Sequence, residues 1–174
     1  MQITELQLAL GDRTIPLRFA EAGVDWLAAQ IGELAGDKQT RLMLVSDERV
    51  ALHYEADFVR ALRDRGFAVS LHVFPCGEER KTLQRIEELL DRLAEETFAR
   101  DDVIVAVGGG VVTDLAGFAA AIYKRGIEWI ACPTSLMGMA DAAIGGKTGV
   151  DHPLGKNLIG AFHQPRAVLA AMNL

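Results

Sequence analysis

The sequence predicts an α/β domain in which a doubly wound, mostly parallel sheet carries helices on both faces. Three observations point there. Strand-like and helix-like patterns alternate through the middle of the chain, the order that parallel crossover units require. The segment DDVIVAVGGG holds an unbroken apolar run, as expected of a strand buried on both faces. That run ends in three glycines directly before a helical pattern, the place where open α/β sheets bind ligands.

Each element has its own signal. MQITELQLALGDR alternates apolar and polar residues and reads as a strand. The first 35 residues are expected to form a hairpin followed by a helix over residues 24–34. TRLMLVSD (40–47) is a short apolar strand, and Val50, Tyr54, Phe58, Ala61 and Leu62 then mark one face of a helix. Gly66 closes that helix, where glycine best supplies a left-handed backbone. AVSLHVFP (68–75) is the next strand, and Leu83, Ile86, Leu90 and Leu93 give a second amphipathic helix. VVTDLAGFAAAIYKRG is a third helix, rich in small residues, and IEWIACPT a fourth strand. From Leu136 onward glycine becomes frequent and the regular pattern fades. Residues 138–162 are expected to be ligand-lining loops with a short helix, within a glycine-rich loop region 136–165.

Length and composition narrow the function classes. The 174 residues, half of them hydrophobic, suffice for one domain with a sizeable core, taken as residues 1–174. The net charge of −6 and the lack of any Lys/Arg run argue against nucleic-acid binding. An anionic ligand must then be held by local cations and backbone amides. No apolar stretch reaches the roughly 18 residues of a membrane span, and the N-terminus does not read as a signal peptide. Cys76 and Cys132 each close an expected strand. They read as small buried hydrophobes in a reducing, cytoplasmic setting rather than as a disulfide pair.

Several short motifs carry candidate chemistry, each beside a plainer reading. Gly108, Gly109 and Gly110 let the backbone approach a pyrophosphate at a helix N-terminus, or simply make a tight turn. They match neither the GxGxxG fingerprint, whose third glycine would fall at Thr113, nor a Walker A loop, whose lysine is missing. Asp114 either compensates the helix dipole or accepts a hydrogen bond from a ligand. Asp47, at a strand end, either grips ribose hydroxyls or caps the following helix. The GEERK run (77–81) reads as a charged helix start, although Lys81 is badly placed near a positive helix end unless an anion or carboxylate is close. Lys124 and Arg125 suit a helix C-terminus, and Arg125 could also fork onto a phosphate. Asp141, Lys147, Lys156 and Asn157 stand in an otherwise small and apolar segment, where lysines beside glycine loops make good phosphate or carboxylate ligands. His53, His72, His152 and His163 are scattered at no ligand spacing, so no metal site is expected within the chain.

Taken together, GEERK, GGGVVTDLAGFAA, YKRGI, PTS and DAAIGGKTGVDHPLGKNLIGAFHQP resemble the 3-dehydroquinate synthase family of sugar-phosphate cyclases. The similarity runs from about Asp47 to Val168 and is dense after Asp101. The resemblance implies an N-terminal, Rossmann-like, NAD-binding domain, with the family's C-terminal helical domain absent from these residues. That family uses NAD and a divalent metal, zinc or cobalt, whose Glu and His ligands lie in the C-terminal domain. It converts 3-deoxy-D-arabino-heptulosonate 7-phosphate to 3-dehydroquinate and phosphate in the shikimate pathway, a lyase reaction. Transient oxidation of a ring hydroxyl acidifies the adjacent C–H and lets phosphate leave.

By resemblance, Asp47, Glu78, Lys81, Gly109, Gly110, Asp114, Thr134, Ser135, Lys147 and Lys156 belong to the cofactor site. Asp141, Lys147 and Asn157 face the substrate. Arg125 meets the substrate phosphate across a homodimer interface. The chain alone is expected to lack synthase activity, and the face left bare by the second domain is expected to be apolar. Two departures stand out. Thr113 replaces a common glycine, as in 2-epi-5-epi-valiolone synthases, and Ala142 and Ala143 replace serines, removing two hydrogen bonds from the cofactor region. The intact GGKTGVD and GKNLIG favour dehydroquinate synthase over the other cyclases and over alcohol dehydrogenases of the same fold. A non-catalytic nucleotide-binding module is the remaining alternative.

Overall fold

A computed structural model describes residues 2–11, 13–37 and 39–174; Met1 and Asp12 of the expected N-terminal strand lie outside the described residues. The chain order is β1 (Ile3–Leu10), β2 (Arg13–Ala20), α1 (Val24–Ala35), β3 (Arg41–Asp47), α2 (Glu48–Asp64), β4 (Ala68–Phe74), α3 (Leu83–Glu95), β5 (Val103–Gly108), α4 (Gly110–Ile122), β6 (Glu128–Pro133), β7 (Lys147–His152), β8 (Gly155–Phe162) and β9 (Ala167–Ala171). Seven strands form one sheet in the order β1-β2-β9-β6-β5-β3-β4. Only β1–β2 is antiparallel; every other neighbouring pair is parallel.

Alternation along each strand divides the core between the two faces. Val103, Val105 and Val107 of β5 point to the side covered by α1 and α2, where they join Leu27, Ile31, Phe58 and Leu62. Ile104 and Ala106 point the other way, to Leu89 and Leu93 of α3 and Leu115 and Ala116 of α4. Every residue of β5 and β9 is buried, as a parallel sheet with both faces covered demands. α2 ends as its sequence requires: Gly66 has φ +93°, open to glycine at little cost.

Strand order places the site. The chain leaves β3 through α2 to reach β4 on one side, then returns through α3 to β5 on the other. Crossovers diverge between the carboxyl ends of β3 and β5, and this divergence opens a crevice.

Two features differ from the sequence expectation. Residues 138–162 are not loops with a short helix. They form one turn of π-helix (Gly138–Ala142) and an antiparallel hairpin, β7–β8. The hairpin is built on facing glycines: Gly149 pairs with Gly160, and a side chain on either would strike the opposite backbone. The glycines that suggested loops are there because two strands approach this closely. The second is β9, a short Ala-rich strand between β2 and β6 that attaches the N-terminal hairpin to the parallel sheet.

The hairpin sits on α4 through Gly117. A Cβ there would collide with the Thr148 methyl and lie 2.9 Å from Trp129 Cζ2. Thr148 is buried and its hydroxyl donates to Ala161 O at 2.8 Å, so it cannot turn aside freely. Alanine normally gains up to about 1 kcal/mol over glycine inside a helix, but overpacking costs about 1–3 kcal/mol. Gly117→Ala is therefore expected to destabilise the fold by about 1–2 kcal/mol, read as a lower urea midpoint at unchanged m-value.

Candidate functional site

Two hollows meet at the N-terminus of α4. The first is the crevice between β3 and β5, about 160 Å³, walled by Asp47, Phe74, Cys76, Glu78, Gly109 and Gly110 among others. β5 delivers the glycines: Gly108 is its last residue and Gly109 caps α4 in extended conformation. The first backbone N–H groups of α4 have no intrahelical acceptor and carry the positive end of the helix dipole. No side chain caps this helix, so the amides stay available to an anion.

The loop's roof comes from the chain after β6. Thr134 N–H donates to Gly108 O at 3.0 Å. Ser135 Oγ accepts from Gly138 N–H at 3.2 Å and starts the π-helical turn. A Cβ on Gly109 would sit 3.5 Å from Ser135 Oγ, and one on Gly110 3.6 Å from Ala142 Cβ. Small residues on both sides leave the backbone bare. Ala142 holds this spacing without a hydroxyl. Thr113 is buried and spends its hydroxyl on Gly110 O at 3.0 Å, so it tightens the first turn of α4.

Asp47 takes up the capping role: its Oδ1 accepts from Arg49 and Val50 N–H at 2.9 and 3.1 Å. Its Oδ2 makes no hydrogen bond among the described residues, and the residue still lines the crevice. The two readings of Asp47 are therefore compatible.

The second hollow, about 440 Å³, is walled by Asp114, Asp141, Lys147, Asn157, Leu158 and Phe162 among others. Asp141 and Lys147 are exposed at its mouth. Leu158, Gly160 and Phe162 share one face of β8 and supply an apolar wall that sequence reasoning missed. The adjacent apolar residues Leu158-Ile159 and Ala161-Phe162 give no period-2 pattern from which to read it. Phe162 is 86% exposed. Leu136, Met137, Leu154 and Leu158 are exposed as well.

Between the hollows lies a polar cluster built around one buried lysine. Lys81, only 3% exposed, forms an ion pair with Asp114 and donates to Asn157 Oδ1. The carboxylate that Lys81 needs, so close to the start of α3, is thus Asp114. Burial pushes the Asp114 carboxyl above its ordinary range; Lys81 pulls it down, while Glu78 and Asp151 push it further up. Glu78, on the short 3₁₀ turn Glu78–Arg80, meets Lys156 at 3.2 Å on the exposed rim.

Arg125 is not brought to this site. It is exposed, in the turn beyond the far end of α4, roughly 20 Å from the glycines at 1.5 Å rise per residue. Cys132 is buried and its thiol is pushed far up by burial, so it is an inert core residue. Cys76 is half-buried, and neither cysteine is bonded to the other. Among the described residues, no group of three or more His, Cys, Asp or Glu is placed to hold a metal ion.

The raised Asp114 carboxyl sets a pH dependence. A carboxyl raised in the folded state stabilises most when protonated, and the contribution is lost as pH rises through its folded value. Wild type should therefore gain on Asp114→Asn, which does not titrate, as pH falls from 7 to 4. Urea titrations of the two proteins at both pH values measure the difference; a wild type that instead loses ground to Asp114→Asn as pH falls contradicts the burial argument.

Known proteins share this chain's sequence and fold. The family model described as 3-dehydroquinate synthase N-terminal matches residues 71–174. The 3-dehydroquinate synthase of Caulobacter vibrioides is 43% identical over 172 residues, covering 99% of this chain and 46% of that protein. That of Gloeobacter violaceus is 48% identical over 149 residues, 86% of this chain and 41% of that protein. The chain thus spans about half the length of the curated relatives it matches. Among solved structures, a 2-deoxy-scyllo-inosose synthase complexed with carbaglucose-6-phosphate, NAD+ and Co2+ superposes with TM-score 0.86 at 30% identity, over 97% of this chain and 46% of that one. The 2-epi-5-epi-valiolone synthase of Streptomyces hygroscopicus, with NAD+ and Zn2+ bound, gives 0.81 at 28%, over 94% and 44%. An Rossmann-like crevice of the expected build, a family match over more than half the chain and identities above 40% agree: this chain belongs to the 3-dehydroquinate synthase family.

Proposed function

We propose that these residues form the NAD-binding part of a 3-dehydroquinate synthase, acting on 3-deoxy-D-arabino-heptulosonate 7-phosphate. One observation carries the reading: an uncapped helix N-terminus behind bare glycines, with a buried lysine–carboxylate pair one helical turn further on. The crevice suits a dinucleotide. The open amides of α4 and Gly109 face a pyrophosphate, and the free oxygen of Asp47 a ribose. Thr134 and Ser135 hold the roof over the glycines, and Glu78 and Lys156 form the rim.

NAD bound there supplies a hydride acceptor. The chain's own residues bind and orient. Lys147 at the mouth of the larger hollow neutralises an anionic substrate group, while Asn157 and Asp141 offer hydrogen bonds to hydroxyls. Leu158 and Phe162 give that side an apolar wall. Arg125, exposed and remote from the hollows, is assigned to a neighbouring subunit's substrate phosphate in a homodimer. A divalent metal, zinc or cobalt, would be held by residues outside these 174, and no step is assigned to it. Two unpaired cysteines support a cytoplasmic location.

A second reading is the same part of another sugar-phosphate cyclase. It is favoured by the superposition on 2-deoxy-scyllo-inosose and 2-epi-5-epi-valiolone synthases. The identities, 28–32% to these against 37–48% to the dehydroquinate synthases, favour the first.

Calorimetric titration with NAD tests the cofactor assignment. Saturable binding is expected. Lys81→Ala and Asp114→Ala should each weaken it about ten- to hundredfold, the loss typical of a hydrogen bond to a charged group. Adding the second half of the Caulobacter relative with zinc should then yield phosphate release from the heptulosonate phosphate. Binding without such rescue would point to a non-catalytic nucleotide-binding module; absence of binding would overturn the reading.

A further inference from the structure

The β7–β8 ladder is regular from the Lys147–Phe162 pair to the Val150–Ile159 pair and then shifts register between Val150 and His152. Asp151 stands alone at this break, opposite Lys156, Asn157 and Leu158 of β8, so the bulge lies on β8 and Asp151 is the one residue that faces it. Its N–H donates to Lys81 O at 2.8 Å. Its Oδ1 accepts the N–H of Asn157, also at 2.8 Å. Asn157 has φ +55°, a left-handed conformation that asparagine tolerates but that must be held by its surroundings.

The result is a bracket. The side chains of Lys81 and Asn157 bond each other, and Asp151 grips the main chain of both. Asp151 lines neither hollow. Bulges next to binding sites commonly re-aim a side chain, and here the side chain re-aimed is that of Asn157.

We propose that Asp151 is a positioning residue, which sets the Lys81–Asn157 contact by holding both backbones and so shapes the wall between the two hollows. It acts through hydrogen-bond geometry. Its negative charge, which also bears on Asp114, is the competing route. The consequence for cofactor affinity rests on the NAD reading above; the bracket itself does not.

The test compares Asp151→Ala, Asp151→Asn and His152→Ala with the unvaried chain. His152→Ala removes the other hydrogen bond of the hairpin tip, from Leu154 N–H to His152 Nδ1, without touching the bracket. Without ligand, hydrogen exchange at the Asn157 amide and acylation of the Lys81 amine are followed. Asp151→Ala should speed Asn157 exchange about tenfold and expose Lys81 to labelling, for loss of one hydrogen bond. Asp151→Asn, which keeps an acceptor oxygen, should restore most of the protection, and His152→Ala should match the unvaried chain. NAD affinity should follow the same order, about tenfold weaker in Asp151→Ala and within about threefold in Asp151→Asn.

Wild-type protection in Asp151→Ala overturns the proposal. So does a loss in Asp151→Asn equal to that in Asp151→Ala, which would assign the role to charge, or an equal loss in His152→Ala, which would assign it to general order of the tip. If Asp151→Ala does not fold, the unvaried chain decides: an Asn157 amide exchanging as fast as an unstructured one sinks the bracket. Failure of NAD to bind any of the proteins counts against the cofactor reading alone, because exchange and labelling still judge Asp151.

Discussion

A buried ammonium group organises this molecule's functional end. Lys81 is nearly sealed from water, and an isolated charge at such depth costs several kcal/mol. It persists because two groups from elsewhere in the chain meet it: Asp114 from α4 and Asn157 from β8. The turn before α3, the second turn of α4 and the hairpin are thereby fixed to one point. None of these elements is joined to the others by the main sheet's ladder. The pair is not a simple gain, since burial pushes Asp114 toward its neutral form even with Lys81 beside it. Its worth lies in fixing geometry, because removing either partner would leave the other buried and uncompensated.

The cluster can form only because α4 is slender. Val112, Ala116, Ala119 and Ala120 pack it into the sheet's face, Gly117 admits Thr148 and Trp129, and Gly110 admits Ala142. The same helix is approached on three sides at near-contact distance, which bulkier residues would prevent. No side chain caps its N-terminus. Uncapped amides are normally a defect; at the crevice formed by diverging crossovers they are the feature that a phosphate would use.

Much of this was legible in the sequence, and the limits are physical. Four of the parallel strands and all four α-helices were expected from pattern and length, and Gly66 marked its helix end. The anomaly of a lysine at a helix start pointed to a nearby carboxylate, which the fold supplies in Asp114. What failed was the hairpin. Its glycines, at 149 and 160, gave a loop signal because glycine weakens any strand pattern; only the cross-strand pairing shows why they are needed. β9 was missed because Ala167–Ala171 carries little β preference of its own and is a strand by virtue of its two neighbours. Asp151 had no sequence signal separable from its motif, since its role depends on a register shift. Arg125 read first as a helix-end cation, and it does stand in the turn that follows α4.

The two hollows are not independent compartments. Consecutive residues of β8 serve both: Lys156 reaches Glu78 on the crevice rim, and Asn157 reaches Lys81 and lines the larger hollow. On α4, Gly110 lines the crevice, and Asp114, four residues later and on the same helical face, lines the hollow. A ligand that draws on Lys156 or on the α4 amides therefore acts on the same backbone segments that place Asn157 and Asp114. Coupling of this kind needs no long pathway, because a single helical turn and a single peptide bond separate the paired groups. A cofactor and a substrate bound on either side would each find the other's wall already set, and the ordering cost of Asn157 and Lys81 would be met once rather than twice.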